Sequence, residues 1–185
     1  MRILHFSDVH LDAPLKTVPR LHWLGKRLIG GLNLYFFRQK AFSGVAAKLD
    51  QLCTFVEDQD IDLAISTGDF TLLGTEAEFK AVSRALSPMY RARHGLIAVP
   101  GNHDQYVHES TRRRRFERYF AGAATSDRPD LLTDGCWPAV RLFGSDVAVI
   151  SVNSARPNPW PWRSSGRIPR AQLEGLERAL SLIHI

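Results

Sequence analysis

A layered α/β fold built on a parallel sheet is the class this sequence predicts, and three observations predict it. Residues 2–6, 62–66 and 95–99 are short, largely apolar runs of strand length, and each opens into a polar turn. The segments between them carry apolar residues at helical spacing. Strand, crossover helix and parallel strand in repetition build a sheet whose functional loops gather at the carboxyl ends of the strands.

In order along the chain, residues 2–6 alternate apolar and polar side chains and stop at Ser7, where a loop begins Asp8-Val9-His10. Phe42, Val45, Ala46, Leu49, Leu52, Cys53 and Val56 then recur at helical spacing, so the sequence predicts a helix over 38–58 with Cys53 in the core. The runs DLAIS at 62–66 and GLIAV at 95–99 suit strands covered on both faces. Between them, Thr75 and Glu78 have the spacing of a capping box, with Phe79, Val82 and Leu86 on one face and Pro88 near the end. A helix over 109–120 is expected next, then a hairpin of strands 140–143 and 147–152 joined at Gly144-Ser145. Residues 153–169 are rich in proline and read as loop, and Pro169 opens a last helix with Leu173, Leu176 and Leu180 as its apolar face.

The chain has 185 residues, and domains run to roughly 100–200 residues, so residues 1–185 are expected to form a single domain. With 44% hydrophobic and 23% charged residues, its composition excludes global disorder and fibrous repeats. The longest nearly uncharged apolar stretch, 28–37, is far short of the roughly 20 residues that cross a bilayer. The first strand reaches Asp8 too soon for a secretion signal, and Cys53 and Cys136 make no disulfide framework or metal spacing, so a cytoplasmic setting is expected. A formal charge of +5 suits an anionic partner without selecting one.

The chemistry lies in the three turns. Asp8 and His10 follow the first strand, Gly68-Asp69 the second and Gly101-Asn102-His103-Asp104 the third, which lines up carboxylate, imidazole and amide donors along one sheet edge. In an extended continuation of the strand, positions i and i+2 point the same way, so Asp8 and His10 would chelate one cation while Val9 faces the core. Mixed oxygen and nitrogen donors suit Mn, Fe or Zn and no thiolate site. Gly68 and Gly101 would let the chain bend sharply before each ligand.

Three segments, SDVHLD at 7–12, STGDF at 66–70 and VPGNHD at 99–104, make the sequence resemble the calcineurin-like metallophosphoesterases. GKRLIGGLN at 25–33 and Asn153-Ser154-Ala155 after the hairpin are similar to the branch of bacterial cyclic-nucleotide phosphodiesterase-like proteins. The resemblance implies a four-layer α/β/β/α fold and two divalent metal ions, Mn, Fe or Zn. It also implies that Asp8 and His10 hold the first metal, Asp69 bridges both, Asn102 holds the second, and His103 is the catalytic acid. Asp104 matches the acidic position after that histidine, where it would orient the imidazole and raise its proton affinity. The chemistry so implied is phosphoester hydrolysis, with a phosphodiester such as a cyclic nucleotide as substrate. Two cations about 3.5–4 Å apart activate a hydroxide and clamp the phosphate for in-line attack. A phosphomonoester or lipid-linked pyrophosphate substrate, or an impaired fragment acting only as a binding module, are the alternatives.

The family pattern also calls for three further histidines after the last helix, and they are absent. The resemblance therefore implies a shortened chain with an incomplete second sheet, lacking its C-terminal metal-ligand segment, and with weak metal retention. His184 is the one candidate replacement. Arg112 to Arg115 spread around a helix and are read as a solvated face rather than a nucleic-acid patch. The insert at 11–40 is read as a short helix packed on the domain, with a flap or peripheral contact with an anionic membrane as its alternative. Trp160, Trp162 and Arg163 stiffen a loop or shape a substrate entrance.

Overall fold

A computed structural model describes residues 1–11, 26–33, 44–158, 160 and 163–183. Asp12, most of the 11–40 insert, the start of the 38–58 helix, Trp162 and His184 lie outside the described residues.

Strands β1 (Ile3–Phe6), β2 (Leu63–Ser66) and β3 (Leu96–Ala98) form a parallel sheet in the order β1-β2-β3, with Ile3 opposite Leu63 and Ala64 opposite Leu96. Helices α1 (Lys26–Asn33) and α2 (Val45–Asp58) lie between β1 and β2, and α3 (Glu76–Ala85) lies between β2 and β3. The two-residue alternation of the strands divides the core. Ala64, Leu96 and Ala98 join Leu49, Cys53 and Val56 of α2 and Phe79 and Val82 of α3 in one cluster, so Cys53 packs as expected. Leu63 and Ile97 turn to the opposite face and meet Phe143 there. α3 begins as predicted: the Thr75 side chain accepts from the Glu78 N–H, and the Glu78 carboxylate accepts from the Thr75 N–H.

Strands β4 (Ala139–Phe143) and β5 (Val147–Ser151) pair antiparallel, and α6 (Arg170–Ile183) closes the described fold. The connection is three residues, 144–146, between the strand ends expected at 143 and 147, with Gly144 at φ 63°.

Two expectations are corrected. The 109–120 segment is two short helices, α4 (His108–Arg112) and α5 (Arg115–Tyr119), broken at Arg114, which has φ 48°. The break changes the arginine run. Arg112, Arg113 and Arg114 are exposed, but Arg115 is 1% exposed and bonds Glu76 Oε2, Glu109 and the Gly74 carbonyl. α6 is also turned by one residue from the expected face: Gln172, Gly175 and Ala179 face inward, Leu176 is half-buried, and Leu173 and Leu180 are exposed. The reason is close approach. A Cβ on Gly175 would lie 2.8 Å from the Leu131 carbonyl oxygen, and Ala179 packs with Leu131 and Val140, so the helix sits too near for leucines on that side.

Candidate metal centre

Beyond the strand ends the chains that follow β1 and β2 stay hydrogen-bonded to each other. Asp8 N–H donates to Gly68 O at 3.0 Å, His10 N–H to Asp69 O at 2.9 Å and Leu11 N–H to Phe70 O at 2.9 Å. The two loops therefore travel together into the site. One ligand atom from each of Asp8, His10 and Asp69 lies within 4.8 Å of the others, a set that could hold a metal ion. Asn102 lines the same 240 Å³ cleft as Asp8 and Asp69.

The cause of this convergence differs from strand alternation. Asp8, His10 and Asp69 have φ 56°, 48° and 58°, all in the left-handed region. That region is costly for most side chains, least so for Asp, Asn and His, and strained residues of this kind concentrate at functional sites. Val9 between them is buried, as expected, but the chain around it is curled, not extended. Gly68 has φ 102°, and the Cβ it lacks would lie 2.7 Å from Gly101 Cα. Gly101 serves by absence of bulk, since its Cβ would lie 2.7 Å from Asp69 Cγ.

The donor set has fixed orientations. Ser7 Oγ donates to Asp8 Oδ2 at 2.6 Å, and the His103 N–H donates to Asp69 Oδ1 at 2.9 Å. His10 Nδ1 lies 3.2 Å from Thr71 O, and a carbonyl can only accept, so Nδ1 carries the proton. Nε2 is then the lone-pair nitrogen, 3.6 Å from Asp8 Oδ1. This is the outer contact that sets a ligating histidine's tautomer. His103 repeats it one residue on, with Nδ1 2.8 Å from Leu72 O. The His103 ring meets His10 edge to face and stacks on Tyr106 at 5.6 Å, with Lys26 Nζ over the far ring. Burial holds the His103 imidazole below its ordinary pKa, against the opposing pull of the Leu72 carbonyl and Asp69.

Asp104 does not orient that imidazole by hydrogen bonding. Its carboxylate accepts from the N–H groups of Asp69 (2.9 Å), Phe70 (3.0 Å), Thr71 (3.0 Å) and Gly101 (2.9 Å), and from Thr71 Oγ1. Burial pushes its carboxyl up to about 7, and the N–H donors oppose that shift. Both oxygens accept from N–H groups, which suits the ionised form.

Sequence reasoning missed how the 69–74 loop is held. Glu78, read only as a cap, also accepts from the N–H groups of Leu72 and Leu73. Arg27, 3% exposed, donates to the carbonyls of Leu73 and Gly74, and Arg115 to Gly74. Two acids hold the loop's N–H groups from inside, and imidazoles and guanidiniums hold its carbonyls. A buried Arg in an otherwise ordinary charge run has no signature in sequence spacing.

Fold and cluster together define an α/β protein with donors at one sheet edge that could hold a metal ion. Residues 1–174 match the calcineurin-like phosphoesterase family, and the chain belongs to it. No curated protein matches the chain. The family carries out metal-dependent hydrolysis of small phosphoesters with a dinuclear centre, and Asp8, His10 and Asp69 supply donors fit for it. Among the described residues no helix is long and apolar enough to cross a membrane.

Proposed function

We propose that this chain is a phosphodiesterase in which Asp8 and His10 hold one divalent cation, Asp69 bridges to a second, and Asn102 binds that second one. Mn, Fe or Zn suits the oxygen and nitrogen donors. The convergence of Asp8, His10 and Asp69 at the ends of two paired strands carries the reading. Cations bound there supply positive charge against phosphoryl oxygens and a nucleophile near neutral pH.

The rest is done by the protein. His103, its Nδ1–H bonded to the Leu72 carbonyl, would give the departing oxygen a proton from Nε2 only in its doubly protonated form, which the nearby Asp69 carboxylate favours and burial opposes. Asp104 is a positioning residue: through Asp69, Phe70, Thr71 and Gly101 it fixes the two loops from which Asp69 and His103 project. The same reading takes residues 1–185 as one catalytic domain of four layers, cytoplasmic in setting. Clusters joining α2 and α3 to the parallel sheet, that sheet to the hairpin, and the hairpin to α6 support the layer order. A cyclic nucleotide is one diester of suitable size.

The test is hydrolysis of bis(p-nitrophenyl) phosphate against p-nitrophenyl phosphate by chelator-stripped protein reloaded with Mn. Assayed in excess Mn because weak metal retention is expected, Mn-dependent turnover that favours the diester, lost in His103→Gln at the same Mn concentration, is the expected result. Preference for the monoester replaces the diester assignment, and absence of metal-dependent turnover on both overturns the enzyme reading.

A further inference from the structure

A second cavity, of 740 Å³, adjoins the metal cleft and has no part in the chemistry above. Ala155 lines both spaces. Around it the chain alternates: Ser154, Ser165 and Gly166 line the metal cleft, while Arg156 and Arg167 line the cavity. The partition is bonded internally, since Arg167 N–H donates to Ser154 O at 2.8 Å and Arg156 Nη2 to Ser165 Oγ at 3.0 Å.

Two features mark the cavity as built. The first is Arg114, which lines it together with Arg156 and Arg167. Its φ of 48° is uncommon for a long side chain and falls in the two-residue break between α4, which ends at Arg112, and α5, which begins at Arg115. The guanidinium is received at Gly135, where a Cβ would lie 2.9 Å from Arg114 Nη2. Among the described residues Arg114, Arg156 and Arg167 form no ion pair with a carboxylate, in contrast to Arg115 and Arg170. The second feature is a pair of unsatisfied atoms. Glu117 Oε2 and Trp137 Nε1 are buried without a hydrogen-bond partner, and both residues line this cavity. Trp137 is only 2% exposed. Buried polar atoms without partners are rare, and each requires an explanation.

The requirements are complementary. Three guanidiniums without carboxylate partners call for an oxyanion, and phosphate is the anion that matches their planar forks. Glu117 Oε2 needs a donor and the Trp137 N–H an acceptor, and a hydroxyl group can be either. We propose that this cavity is a subsite for a sugar-phosphate-type group, with its phosphate on Arg114, Arg156 and Arg167 and its hydroxyls on Glu117 and Trp137. Resting on the phosphodiesterase reading, it is the place of the non-scissile half of the substrate, the shared strip 154–156 lying between that half and the cleft. The substrate class is thereby narrowed to diesters carrying a second phosphate on a polyhydroxy group.

The test uses the full chain, first stripped of metal so that phosphate has no cation to bind. Ribose 5-phosphate, inorganic phosphate and ribose are titrated separately by calorimetry and by 1H–15N spectra of the tryptophan indoles, with Trp137 assigned through Trp137→Phe. Expected are binding of ribose 5-phosphate tighter than of either fragment, a shift of the Trp137 indole resonance, and a loss of about tenfold or more in Arg114→Ala/Arg167→Ala, whose side chains are exposed. Equal affinity in that double variant, an unmoved Trp137 resonance, or phosphate alone binding as well as the sugar phosphate overturns the proposal. Metal-dependent diester turnover without such binding removes the subsite and leaves the enzyme reading. Binding without turnover does the reverse.

Discussion

The imidazoles of His10 and His103 meet edge to face, ring centroids 4.9 Å apart, because their Nδ1 atoms bond successive carbonyls, those of Thr71 and Leu72. One loop therefore sets both rings, and whatever holds that loop bears on the metal centre and on the leaving-group site together.

Asp104→Asn tests this directly. The amide offers an NH2 where N–H groups of residues 69–71 and 101 point, leaving buried donors unsatisfied. A loss of about 1–3 kcal/mol in urea unfolding is expected. Mn affinity, measured by calorimetry, falls about 10–100-fold, as when an outer partner of a metal ligand is removed. Unchanged metal affinity would separate Asp104 from the site.

Gly101→Ala puts a methyl group 2.7 Å from Asp69 Cγ. Asp104 holds the Gly101 N–H, so the backbone has little freedom to give way. Asp69 is displaced instead, and bound Mn per chain, read by elemental analysis after gel filtration, drops well below that of the unaltered protein. Asp69→Ala gives the same loss; normal Mn occupancy in that variant contradicts a bridging role.

How much of this was legible in the sequence varies by residue. Asp8, His10, Asp69 and Asn102 could be placed at one edge because strand patterns and turn residues are local signals. Their mutual geometry was not legible, since it rests on left-handed backbone at three non-glycine positions. The capping box at Thr75 was visible as a spacing, but the further bonds of Glu78 to Leu72 and Leu73 required the loop's path. Leu173 and Leu180 misled because periodicity finds an apolar stripe without saying how closely a neighbour approaches. Arg115 misled because four arginines in a row look alike until a break at Arg114 rotates one inward.

Arg115→Leu is expected to cost about 1–3 kcal/mol in urea unfolding, because it removes the bonds to Glu76, Glu109 and the Gly74 carbonyl, while Arg27, Arg113 and Arg118 still face the two carboxylates. An effect below about 0.5 kcal/mol, the level of an ordinary surface change, would return Arg115 to the solvated class.

The same ion cluster gives an acid response of definite sign. Burial raises Glu109 and Glu76, but bonds to Arg115, with Arg27 at Glu109 and Tyr119 and Arg118 at Glu76, leave both below the ordinary glutamate pKa. A depressed folded pKa contributes stability that is complete above the unfolded value and is lost as pH falls through the folded one. Unfolding free energy therefore drops as pH goes below about 4.5. Glu109→Gln, compared with the unaltered protein over that range, shows a shallower drop; parallel curves would refute the cluster's role.

The 69–74 loop has a consequence for how new specificities arise. N–H groups from Asp69 to Leu73 and carbonyls from Asp69 to Gly74 are already engaged by side chains or neighbouring backbone, so substitutions there disturb several bonds at once. Among the described residues of the wall at 154–167, Ser154, Arg156, Ser164, Ser165 and Arg167 are exposed. Divergence among descendants of this chain is accordingly channelled to one bank of the cleft, with the other inherited nearly intact.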